Sequence, residues 1–210
     1  LSLVLVVSSA PDAEAQGRRP RGEREVFRKP VEVTPAAERT IDRALKFLAG
    51  RQERRGEFKG AYMDGIGRKV NNTYLAHRGP HVGVTGLVGM AFLSNGSTPG
   101  RGPYGTHVQG CVDFILKMIK PNGFVSHGHS RMYSHAFATL FLAEVYGMAP
   151  SDRVRRGLGE AIGMIVSSQN EQGGWRYMPA AKDSDISITV CQVQALRAAR
   201  NVGIKVPVGA

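Results

Sequence analysis

Six stretches of this chain carry helical periodicity, and they alternate between two kinds. Residues 36–49 place Ile41, Ala44, Leu45 and Leu48 on one stripe and Glu38, Arg39, Asp42, Arg43 and Lys46 on the other. That is a helix with one wet side. Residues 82–94 have no charged face: Val82, Val84, Leu87, Val88, Met90, Ala91, Phe92 and Leu93 spread around the whole circumference. A helix that is apolar all round has to be covered all round. The alternation then returns twice. Stretches 108–119 and 153–168 are amphipathic, while 134–148 and 186–200 are largely apolar. Thr34-Pro35 offers a cap and a first-turn proline to the first helix. One layer of helical hairpins would wet a face of every helix, whereas two concentric layers separate half-wet helices from dry ones. The pattern therefore predicts an all-α fold, an α/α toroid. It comprises about three hairpins (about 35–95, 106–149 and 151–203), which is an incomplete barrel.

The ends differ from this body. Leu1 to Ala10 is an apolar run followed by Ala13-Glu14-Ala15, which matches the core and cleavage site of a secretory signal over residues 1–15. Residues 16–34 read as a basic, proline-containing linker, and 35–205 as the repeat domain. The first run is too short to span a bilayer and no later one does better. The expectation is an exported protein, periplasmic or secreted, with no transmembrane span in the mature chain. The net charge of +11 attracts anions such as acidic glycans. Apart from one cluster between Arg18 and Lys29 the bases are scattered. No finger, basic zipper or RNA-recognition signature is present, so nucleic acid is not an expected partner. Cys111 and Cys191 lie in apolar helical stretches, where a free thiol packs as a small hydrophobe; in an oxidising compartment the two could also pair.

A short element marks the helix ends. Gln169, Gly173 and Trp175 close one amphipathic helix, and Gln52, Gly56 and Phe58 repeat the spacing after another. Glycine supplies a left-handed stop, the amide satisfies backbone groups, and the ring covers them. The middle copy has decayed to Lys120-Pro121-Asn122-Gly123-Phe124. The element resembles the QW motif of the squalene–hopene cyclase and oxidosqualene cyclase superfamily, which shares its toroid with protein prenyltransferase β subunits. Residues 83–93, 136–144 and 187–200 look like inner helices of that family, and the likeness covers about residues 36–205. Exported prenyltransferase and squalene oxidase repeat proteins of planctomycete-like bacteria are similar in kind. Toroids of this family close with five to seven hairpins. The resemblance therefore implies a piece of a longer toroid, or an open arc that self-associates through its hairpin ends.

Candidate chemistry is sparse. Cyclases of this type protonate an alkene with the central acid of D-x-D-D. The nearest match, Asp183-Ser184-Asp185, has two of the three acids. Asp185 is better placed to cap the helix that follows than to catalyse, and Ser187 competes for the cap. The Asp-x-Cys of the prenyltransferase zinc site is absent, so no metal or other cofactor is expected. His127, His129, Arg131, Tyr133 and His135, with His81 and Arg176, form a polar set predicted to line the mouth where inner-helix N-termini converge. The leading expectation is a binding module for an anionic polymer or an apolar isoprenoid. The alternatives are a terpenoid cyclase or prenyltransferase-like enzyme and an enzyme acting on acidic polysaccharide. Rings stabilise carbocations, and only 7% of the residues are aromatic.

Overall fold

The computed structural model describes residues 33–63, 79–128, 130–207 and 209. The expected signal sequence, nearly all of the linker, residues 64–78 and His129 lie outside the described residues. Those described form α-helices joined by turns: α1 (Pro35–Ala49), α2 (Val82–Ser94), α3 (Gly105–Lys117), α4 (Met132–Met148), α5 (Asp152–Ser167) and α6 (Ile186–Asn201). Among them no strand occurs, only isolated bridges such as Ile119 with Val125. The all-α expectation holds. Thr34 caps α1 by accepting the Ala37 N–H at 3.2 Å, and Ser151 caps α5 by accepting that of Val154.

The apolar helices α2, α4 and α6 stand in one row and run parallel. A Cβ built on Gly83, Gly86 or Gly89 would meet Ser134, Phe137 or Phe141 at 2.8, 2.8 and 2.4 Å. Both sets ascend together, so α2 and α4 point the same way, and their backbones approach closely because no side chain intervenes. Along α4 and α6, Tyr133 bonds Ser187 at one end and Gly147 abuts Val202 at the other. The N-termini of all three helices therefore share one end. Helix α3 packs on α2, and α5 packs on α4 and α6. Phe92, Phe114, Ile115, Phe141, Leu142, Leu158, Ile165 and Ile188 are fully buried between them. Each such side chain contributes about 1.5–3 kcal/mol by leaving water.

Three junctions repeat one hydrogen-bond pattern. The loop N–H of Tyr62 donates to Thr85 Oγ1 at 2.9 Å. That of Val125 donates to His135 Nδ1 at 3.0 Å. That of Trp175 donates to Thr189 Oγ1 at 3.1 Å. Each acceptor lies four residues past its helix cap, which is His81, Arg131 or Asp185. The side-chain amides of Gln52 and Gln169 then donate to the carbonyls of Gly60 and Gly173, both at 3.0 Å.

This register corrects the sequence reading of the first Gln-Gly-aromatic element. The structural counterparts of Gly173 and Trp175 are Gly60 and Tyr62, not Gly56 and Phe58. The first loop is longer, with Gln52 eight residues from its glycine and Gln169 four, so equal sequence spacing matched the wrong pair. Tyr62 is fully buried, whereas Phe58 is half-buried and meets the His127 ring in a T-shaped pair.

A second difference concerns the ends of the row. Helix α6 reads in the sequence as a dry helix packed on most sides, yet Ile186, Val190 and Val193 are 78%, 46% and 50% exposed. No described helix lies on that side. At the other end Ile41 of α1, predicted to face inward, is exposed together with Phe47 and Leu87, and only Leu45 of the α1 stripe is fully covered. Cys111 and Cys191 are free thiols. Burial pushes Cys111 up to about 12, so it packs rather than reacts.

Candidate functional site at the N-terminal ends of α2, α4 and α6

The caps His81, Arg131 and Asp185 lie at the common N-terminal end of the parallel row. His81 accepts the Val84 N–H on Nδ1 at 3.2 Å. Asp185 accepts the N–H groups of Ser187 and Ile188 at 2.9 and 3.4 Å. The Ser187 hydroxyl donates to the same carboxylate oxygen. With its proton committed there, Ser187 Oγ accepts from the Tyr133 hydroxyl. The result is a directed line from Tyr133 through Ser187 to Asp185. It joins the first turns of α4 and α6, and it leaves the lone pairs of the Tyr133 oxygen available to an incoming donor.

The Ser187 hydroxyl bond above all, with the two cap N–H bonds and the positive field of Arg176 adding to it, holds the Asp185 carboxyl below its ordinary value. An ionised carboxylate is also what a helix N-terminus favours. Asp183 forms an ion pair with Arg176 at 2.9 Å, both partners being well exposed. Such a pair contributes at most about 1 kcal/mol. The Arg176 guanidinium lies over the Tyr177 ring at 5.5 Å, and the Tyr133 and Tyr177 rings stand 6.2 Å apart at 59°. Arg131 is exposed beside them, because the Met132 N–H donates to the Tyr177 carbonyl at 3.0 Å and ties the two loops together.

The structure thus gathers Arg131, Tyr133, Arg176, Asp183 and Asp185, and it adds Ser187 and Tyr177. Ser187 was legible only as a rival cap. Tyr177, next to Arg176 in an irregular loop, gave no periodic signal. Two further polar atoms border this place. Gln192 is fully buried and donates its amide to the Met132 carbonyl at 2.9 Å, while its Oε1 and the buried Ser130 hydroxyl have no partner among the described residues.

His135 does not belong to the mouth. It is fully buried. Its Nδ1 accepts from Val125, so Nε2 carries the proton and donates to the Ala161 carbonyl at 3.2 Å. Burial holds the ring neutral and takes its pKa down to about 4. Both nitrogens are engaged, so the residue staples α4 to α5 and has no lone pair left for a ligand. His127 packs against Phe58 at 5.1 Å, on the side of the first long loop. Among the described residues no group of three or more metal-ligating side chains occurs, and no helix is long and apolar enough to cross a membrane.

A shallow groove of about 430 Å³ runs along the wet face of α1, lined by Ala36, Arg39, Thr40, Asp42, Arg43 and Lys46. The sequence showed this face only as a solvated one. No protein-family model matches the chain, nor does any curated protein or solved structure.

Proposed function

We propose that the chain is an arc of an exported α/α toroid, of the prenyltransferase and squalene-cyclase repeat kind, that binds an anionic carbohydrate polymer at the N-terminal end of its inner helices. The observation that carries this reading is the Tyr133–Tyr177 pair flanked by Arg131 and Arg176. Aromatic rings offer apolar faces to sugar C–H groups. The Tyr133 oxygen accepts from sugar hydroxyls, since its own proton points to Ser187. Guanidiniums grip carboxylates in a fork. The long-range charge of +11 raises the local concentration of a polyanion and speeds its capture.

The test is a titration with polygalacturonate and with a neutral glucan of similar length. The polyanion should bind, weaken steeply with added salt, and lose about tenfold in affinity on Arg131→Ala, on the scale of one charge-assisted contact. Equal binding of both polymers, or no effect of the variant, would refute it.

The line from Tyr133 to Asp185 favours a second reading, an enzyme acting on acidic polysaccharide. In it the C5 proton of a 4-linked uronate passes to Tyr133 as the Tyr133 proton moves to Ser187 and the Ser187 proton to Asp185, while the C4–O bond breaks, a C4–C5 double bond forms and the departing oxygen takes a proton from water. Release of unsaturated uronates, followed by ultraviolet absorbance, decides between binder and enzyme. A cyclase role gains no support from Asp185. Alkene protonation needs a carboxylic acid kept neutral, and the Asp185 surroundings favour the anion.

A further inference from the structure

The loop between Trp175 and Asp185 returns on itself. Its neck is closed where the Asp185 N–H donates to the Trp175 carbonyl at 2.8 Å. Gly174 lies so near that a Cβ built on it would meet the Ser184 Cβ at 2.5 Å. Just beyond this neck the Arg176 guanidinium meets the Asp183 carboxylate at 2.9 Å. The intervening chain turns through Ala180 at φ 60, in the left-handed region that a residue with a Cβ seldom takes. That turn costs at least as much as an ion pair returns when its partners are 38% and 66% exposed. Stability therefore does not account for an acid folded back onto this base.

Asp183 is held in place without Arg176. The Lys182 carbonyl before it accepts from the Asn170 amide at 3.5 Å. The Ser184 hydroxyl after it donates to Gln172 Oε1 at 3.2 Å. Arg176 has a second contact of its own, the Tyr177 ring at 5.5 Å, over which the guanidinium can stay when the carboxylate lets go. The other acid here, Asp185, is committed to the Ser187 hydroxyl and the cap N–H groups. The other guanidinium, that of Arg131, has no ion pair among the described residues. One arginine of the site is open and the other already carries a carboxylate.

We propose that Arg176 forms a carboxylate subsite which Asp183 fills in the unliganded chain, and that a ligand carboxylate displaces Asp183 from it. This rests on the polyanion-binding reading above and deepens it: the group that Arg176 takes is a carboxylate, and the chain holds its own competitor for that place. The displaced Asp183 returns to water that it already touches, so the exchange is one exposed carboxylate for another. A neutral sugar does not make the exchange, because its hydroxyl bonds a guanidinium more weakly than the carboxylate it would replace. A polymer with one carboxylate on Arg131 offers the next at a high effective concentration, so a chain displaces Asp183 more readily than a single acid does.

Titration with polygalacturonate tests this on the parent chain, Asp183→Asn, Arg176→Gln and the double variant. Removing the competitor should raise affinity about twofold to fivefold, the range that an exposed ion pair permits. The gain should disappear where Arg176 is absent, so the cycle separates displacement from a general change of charge. Both side chains are exposed, circular dichroism reports folding, and Arg176→Ala supplies a second removal of the guanidinium. Equal gains with and without Arg176 overturn the proposal, because Asp183 then acts only as a diffuse negative charge. Unchanged or weaker binding by Asp183→Asn also overturns it, while binding by the parent that Arg131→Ala weakens leaves the polyanion reading standing. Binding that emerges only in Asp183→Asn supports the proposal, with the competitor dominant. If neither the parent nor Asp183→Asn binds, the proposal and that reading fall together.

Discussion

His135 makes stability depend on pH in a direction that can be computed. Its folded pKa is lowered from 6.5 to about 4, so at intermediate pH the unfolded chain binds a proton that the folded one refuses. The stabilisation is fully present above 6.5 and is lost as pH falls toward 4. At about pH 4.5 the unfolded imidazole is almost wholly protonated and the folded ring largely is not, so the net loss is roughly 2–3 kcal/mol. Replacing His135 by Asn keeps an acceptor near Nδ1 for the Val125 N–H and gives up the bond to Ala161. That should cost about 1–3 kcal/mol at neutral pH. It should also remove the acid-sensitive component. Urea unfolding of parent and variant at about pH 7 and about pH 4.5 provides the assay, and the parent should lose roughly 2–3 kcal/mol more than the variant between the two. Equal losses would mean that the ring is not held neutral between Val125 and Ala161, and the reasoning would fail.

Other expectations follow from the same packing. Tyr62 is fully buried with a hydroxyl that has no partner among the described residues. Tyr62→Phe should therefore leave stability unchanged or raise it by about 1 kcal/mol in a denaturant melt; a clear loss would reveal a partner for the hydroxyl. Gly89→Val puts a branched side chain where a Cβ already lies 2.4 Å from the Phe141 ring. It should lower stability by at least about 1–3 kcal/mol, seen as a lower thermal midpoint, while Gly163→Ala, at a helix position with open space, should not destabilise.

The helices were legible because each carries its own evidence. Apolar stripes, Thr34-Pro35 and Asp185 act within a few residues of themselves, and the observed bounds follow the periodicity closely. Helix α3 is the exception. It begins at Gly105 and ends at Lys117 rather than spanning 108–119, because glycine and proline hid its first turn and the bridge from Ile119 to Val125 closes its last. What the sequence hid depends on distant partners. The His135 ring is fixed by Val125 and Ala161, which no spacing rule connects, so a structural staple read as a binding residue. Tyr133 meets Ser187 across 54 residues. The open flank of α6 (Ile186, Val190, Val193) is at least as apolar as the covered flank of α4 (Met132, Ala136, Thr139), since composition records what a helix could bury and not whether a neighbour is present. The added residues between Gln52 and Gly60 displaced the apparent aromatic from Tyr62 to Phe58.

Backbone hydrogen exchange with and without polygalacturonate tests the binding account most directly, because it reads location as well as affinity. Ligand protection should concentrate in the segments carrying Arg131 and Tyr133 and in the loop from Arg176 to Ser187. Protection confined to α1, or a pattern unchanged by the polymer, would contradict it.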